Sequence, residues 1–201
     1  RRESWVDSRI EPYSPDEIPK VDAAIYHIAG LMRGDLGHDI IDLAAGRAMA
    51  ALDVQCILRV VRNGRMAFED WPEKREFLKK IHFLKTDALE AEIMTGQSDL
   101  ETAARILHKW GAQEIMITHN SGVIVFDGEL IHRQPLKPRN LTGRTGRGDT
   151  CFSGYITERL TRSIPESLRT AAALVSLKME TPGPFMGTRK DVEAYGHRFF
   201  D

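Results

Sequence analysis

Short apolar runs alternating with helical patterns, joined by brief connections, constrain this chain more than any other feature. Residues 23–28, 54–61, 81–84 and 114–118 read as buried strands. Residues 36–51 read as a helix with Ile40, Ile41, Leu43, Ala44 and Met49 on its apolar face, and 72–80 as a charged helix that opens on Pro72. Residues 88–94 form a short helix closed by Gly96. Ser98 or Asp99 caps the next helix, which runs to Trp110 and stops at Gly111. Residues 122–126 and 130–134 flank Asp127-Gly128, a hairpin signal, and from Asp149 onward the chain reads as three helices over 149–162, 165–180 and 188–197. Strands alternating with helices over short connections predict a mostly parallel sheet covered by helices on both faces. Ligands of such sheets sit at the carboxyl ends of the strands, which directs attention to the loops after Leu84, after Thr118 and over 135–149.

Composition narrows the partners. Lys plus Arg is 28 and Asp plus Glu is 29, so no global charge favours nucleic acid or an anionic membrane. No segment approaches the roughly 18 consecutive apolar residues of a membrane span. The two cysteines, Cys56 and Cys151, form no C-x-x-C pair, and the histidines show no metal-ligand spacing. Two distant cysteines suit a reducing compartment, so a cytoplasmic setting is expected. The chain opens without an initiator Met or the apolar run of a signal peptide, and is expected to begin inside a longer protein.

The densest chemical signal is Gly143-Arg144-Thr145-Gly146-Arg147-Gly148-Asp149-Thr150, just ahead of a helix. The glycines allow a sharp turn and close approach to a ligand. The N–H groups of the helix start converge on one place, where the helix dipole favours anions, and Arg144 and Arg147 add cationic forks for phosphate oxygens. A carboxylate beside an anion cradle is odd for a pure binding site. It suits phosphoryl transfer, in which the cradle takes developing charge and Asp149 accepts the proton of an attacking hydroxyl. The plain alternative is an exposed turn with Asp149 as a simple helix-start acid. A Walker A loop fails for want of its lysine, and a dinucleotide fingerprint fails because Cys151 stands where a glycine is required.

Gly146-Arg147-Gly148-Asp149-Thr150 resembles the G-A-G-D-T/S element of the PfkB, or ribokinase-like, carbohydrate kinases. The resemblance implies Asp149 as catalytic base, with the N–H groups of Gly146, Arg147 and Gly148 as the anion hole. Arg147 stands where the family has a small residue, and Gly143 lies where the family usually has an Asp-Thr pair. Lys85-Thr86-Asp87-Ala88-Leu89-Glu90 is similar to the family's K-P-N-x-x-E element, which implies Glu90, with Asp87, in the environment of Mg²⁺. Read from the residues alone, the two are acids suited to a helix start. Thr118-His119-Asn120-Ser121-Gly122 resembles the family's nucleotide loop, one residue short, and implies Thr118 as a contact to the nucleotide; a polar turn between strands reads equally well. The alanine-rich stretch 171–178 and Pro182-Gly183-Pro184 are similar to the segments lining the family's adenine pocket, which implies Ala172 and Gly183 there, although close helix–sheet packing needs the same small residues.

The resemblance thus implies an α/β fold, a three-layer ribokinase-like sandwich with a mostly parallel central sheet flanked by helices. Residues 1–201 would form a single α/β domain, the C-terminal two-thirds of such a kinase, without the family's N-terminal strands and lid. The activity implied is transfer of the γ-phosphate of ATP, with Mg²⁺, to a hydroxyl of a sugar or sugar-like substrate. The alternative is a catalytically weak nucleotide- or sugar-binding regulatory protein on the same fold. A homodimer is the assembly the family suggests; nucleic acid and membrane are not expected as partners.

Overall fold

A computed structural model describes residues 4–201. Its centre is a six-stranded sheet of β1 (Ile25–Ile28), β2 (Met49–Asp53), β5 (Phe83–Asp87), β6 (Glu114–Thr118), β7 (Gly122–Phe126) and β8 (Ile131–Pro135), in that spatial order. The first four are parallel, and β7 and β8 return antiparallel through the Asp127-Gly128 turn. A separate two-stranded ribbon pairs β3 (Arg59–Arg62) with β4 (Arg65–Phe68).

The three layers follow from the two-residue period of the strands. On one face Leu52, Leu84, Ile115, Ile117, Ile124 and Phe126 meet Ile40, Ile41 and Ala44 of α1 (His38–Arg47), Ala91 and Met94 of α4 (Ala88–Thr95), and Ala103, Ala104 and Leu107 of α5 (Leu100–Lys109). The alternate residues Ala51, Phe83, Met116, Val123 and Val125 face α6 (Arg147–Glu158) and α7 (Ile164–Lys178), through Phe152, Tyr155, Leu168 and Val175. The last helix, α8 (Arg189–Phe200), packs on α7 through Val192 and Tyr195. None of the helices among the described residues is long and apolar enough to cross a membrane.

Three expectations need correction. The helix expected over 36–51 stops at Arg47, and Met49–Asp53 instead pairs in parallel register with Ile25–Ile28. Small apolar residues serve either state, and strand pairing decides between them. The strand expected over 54–61 is broken. Gln55 N donates to Asp53 Oδ1 at 3.1 Å, which turns the chain into the short helix α2 (Gln55–Leu58) before β3. The ribbon that follows turns through Asn63-Gly64, both at positive φ, a hairpin signal that could have been read in advance. The helix expected over 72–80 shrinks to α3 (Lys74–Phe77) and a 3-10 turn over Leu78–Lys80.

Candidate active site

The carboxyl ends of β2, β5 and β6 meet the start of α6. Gln55, Lys85, Asp87, Thr118, Arg144, Gly146, Arg147, Gly148 and Asp149 line one pocket of about 240 Å³. Seven of these nine, Asp87, Thr118, Arg144, Gly146, Arg147, Gly148 and Asp149, are residues expected at the site from the sequence; Gln55 and Lys85 are added by the fold.

The helix start is open. Gly146 takes the N-cap position at φ 77° and supplies no capping side chain. Thr150 N donates to Gly146 O at 3.0 Å, so the helical ladder begins there, and the N–H groups of Gly148 and Asp149 meet no carbonyl among the described residues. Arg147 N donates to Arg144 O at 3.3 Å, so of the three N–H groups expected in the anion hole this one is already engaged. The Asp149 side chain is exposed at the pocket rather than folded into the interior. Arg147 is half-buried, and burial followed by the adjacent Arg144 pulls its pKa down.

Behind this start lies a buried charge cluster, of which the sequence pointed to Glu90 and gave Asp53 and Lys85 no role. Lys85 Nζ lies 2.9 Å from Asp53 Oδ2 and 3.8 Å from Glu90 Oε2, with all three side chains buried. Its hydrogen bond goes to Asp53 Oδ1 at 3.1 Å; Oδ2 is a charge contact without hydrogen-bond alignment. Burial works against the ammonium, but Asp53, Glu90 and Asp87 outweigh it and hold the Lys85 pKa above the ordinary lysine value. Burial pushes the Glu90 carboxyl up to about 7, with Lys85 opposing and Asp87 and Asp53 adding to the rise. A Cβ on Gly148 would lie 3.1 Å from Lys85 Nζ, so the glycine lets the helix start sit directly over this cation. The signal was present as a lysine and an aspartate at the carboxyl ends of adjacent strands.

Asp87 and Glu90 are partly committed to a capping box. Asp87 Oδ1 accepts from Glu90 N at 2.8 Å, and Glu90 Oε2 accepts from Asp87 N at 2.7 Å. Asp87 reaches the pocket wall, whereas Glu90 is turned behind Lys85. Thr118 Oγ1 donates to Thr86 O at 3.4 Å and still borders the pocket. Ala172 and Gly183 are not brought to this pocket: Ala172 is packed in α7, and Gly183 lies in an exposed loop at φ 88°.

Comparison with known proteins places this geometry. The sequence matches the family described as pfkB family carbohydrate kinase over residues 13–188. It is 36% identical over 85 residues to a cytidine kinase of Thermococcus kodakarensis, an alignment covering 41% of this chain and 31% of the relative. The fold superposes at TM-score 0.89 on a pyrophosphate-dependent kinase in the ribokinase family complexed with a pyrophosphate analog and myo-inositol, at 36% identity over 96% of this chain and 70% of that one. An Arabidopsis thaliana ribokinase complexed with ribose and ATP shares the fold at TM-score 0.73 and 24% identity, over 93% of this chain and 60% of its own length. The chain therefore spans about a third of the curated relative and 60–70% of these solved structures.

Proposed function

The chain belongs to the pfkB family of carbohydrate kinases, and from that premise we propose that the protein transfers a phosphoryl group to a hydroxyl of a sugar-like substrate. One observation carries the reading: Asp149 stands exposed beside the uncapped amides of its own helix, with Lys85, Arg144 and Arg147 around the same pocket. In the proposed step Asp149 accepts the proton of the acceptor hydroxyl as the hydroxyl oxygen attacks the donor's terminal phosphorus in line; the bond from that phosphorus to the bridging oxygen breaks, and the rest of the donor, ADP or phosphate, leaves with the electron pair. The N–H groups of Gly146, Gly148 and Asp149 and the cations face the charge that spreads over the phosphoryl oxygens.

Mg²⁺ would neutralise donor phosphate charge. Among the described residues there is no cluster of three or more metal-ligating side chains. Asp87 at the pocket wall would hold such an ion, largely through water, with Glu90 behind it.

ATP is the donor implied by the resemblance, with Thr118, Asp87 and Arg144 toward its phosphates and Ala172 and Gly183 toward its base. A second donor, inorganic pyrophosphate, is favoured by a specific observation. The lining of this pocket contains no aromatic or aliphatic side chain. A donor made only of phosphate needs no apolar slot, whereas an adenine ring does. A cytoplasmic setting accords with the free cysteines Cys56 and Cys151.

The test is ³¹P NMR of the purified protein with Mg²⁺, ATP or pyrophosphate, and ribose, myo-inositol or cytidine, the compounds named for its relatives, within a wider panel of sugars and cyclic polyols. A new phosphate monoester formed with one donor is the expected outcome. No ester from either donor on any acceptor would sink the assignment and leave a binding protein on a kinase fold.

A further inference from the structure

Lys178, the last residue of α7, is only 3% exposed, yet no carboxylate among the described residues pairs with it. Its ammonium donates instead to two backbone carbonyls, Gly143 O at 2.7 Å and Thr145 O. Burying an ammonium costs on the order of several kcal/mol, so a cation in this position calls for an explanation beyond packing. Lysines near helix ends often bond to the carbonyls of their own last turn. This one reaches across to the loop that leads into α6.

That loop is sewn to α7 on the same side. Gly143 N donates to Met179 O at 2.7 Å, and Thr142 Oγ1 donates to Glu180 O at 2.7 Å. A Cβ on Gly143 would lie 1.8 Å from Thr181 O, so no other residue fits there. In a trans peptide the C=O and N–H point in opposite directions. Drawing Thr145 O back onto Lys178 therefore aims the Gly146 N–H away from α7, on the side where Gly146 borders the pocket. The charge also polarises both peptides, which strengthens their N–H groups as donors to an anion.

We propose that Lys178 is a positioning residue for phosphoryl transfer, a built-in cation that holds the loop over 143–146 with the Gly146 N–H toward the donor. Carbonyl groups gathered in this way are also the ligands of alkali cations. With the ammonium already in place, the site needs no added monovalent cation. The inference rests on the phosphotransferase reading of the same pocket.

Two variants and the wild type test it. Lys178→Met keeps the volume and removes the charge; kcat is expected to fall about 10²-fold, with the acceptor KM changed little. Lys178→Ala leaves room, and potassium, ammonium or ethylammonium is expected to restore part of its kcat, an effect that simple loss of packing would not give. Wild-type kcat is expected to be equal in potassium and in tetramethylammonium buffer. A wild-type requirement for potassium, wild-type turnover in Lys178→Met, or failure of every small cation to rescue Lys178→Ala would overturn the proposal. Should the wild type transfer no phosphoryl group, the functional reading fails first. Calorimetry of pyrophosphate binding then still decides this one: weaker binding in Lys178→Met supports it, and equal binding removes it.

Discussion

The starts of α5 and α6 use the same chemistry to opposite ends. Each has an aspartate at or near the first turn. Asp99 folds back and accepts from Thr102 N at 2.8 Å, so the helix spends its carboxylate on its own amides, and that hydrogen bond holds the Asp99 pKa low. Asp149 lies one turn further in, behind a glycine N-cap, and leaves the amides of Gly148 and its own N–H unmet while its carboxylate stands at the pocket. The difference is one of position. An acid at the N-cap satisfies a helix start, and an acid at N3 after a glycine leaves the start available to an anion. Behind α6 there is also a buried cation, Lys85, pressed against Gly148.

The largest expected effect separates the two aspartates. Asp149→Asn should lower kcat by about 10²–10⁴-fold while pyrophosphate or ATP affinity, measured by calorimetry, stays close to wild type. The same change at Asp99 should leave kcat alone. Equal losses at both positions would erase the contrast.

Lys85→Met attacks the support beneath α6. It leaves the Asp53 carboxylate buried without its ammonium, and stability should drop by about 3–5 kcal/mol in urea titrations, together with weaker donor binding. A variant as stable as the wild type would mean that the Lys85–Asp53 pair carries little of the site's organisation.

Much of this contrast was legible in the sequence. The alternation of elements marks the layers, Ser98 or Asp99 and then Gly111 mark the limits of α5, with Asp99 the cap in the structure, and the glycine-spaced turn marks α6 and Asp149. What has no pattern along the chain lies in the spaces between elements. Asp53, Lys85 and Lys178 sit in ordinary apolar contexts along the chain, and only the adjacency of β2 and β5, or the passage of the loop over 143–146 across α7, turns them into partners. Residues 36–51 read as one helix because a helix and a strand share one apolar run, whose boundary is set by pairing to β1. Ala172 and Gly183 rest on the resemblance alone, and neither borders the pocket at the start of α6.

Smaller effects refine the picture. Glu90 has a folded pKa of about 7, above its ordinary value, so the folded state holds this proton more tightly than the unfolded chain does. Its contribution to stability is therefore lost as pH rises from about 4.5 to 7. Glu90→Gln keeps the capping-box acceptor and should flatten that part of the stability profile; an unchanged slope would show that Glu90 is not the titrating group. The smallest effect is expected at the self-capped helix. Asp99→Ala should lower Tm by about 2–4 °C in calorimetric scans without altering turnover.

The amides themselves offer the most direct measurement. In a ¹⁵N-labelled sample titrated with pyrophosphate, the signals of Gly146, Gly148 and Asp149 should move together and saturate, while those of Leu100, Glu101 and Thr102 at the start of α5 stay in place. Saturable pyrophosphate binding that leaves the three α6 signals unmoved would contradict the account.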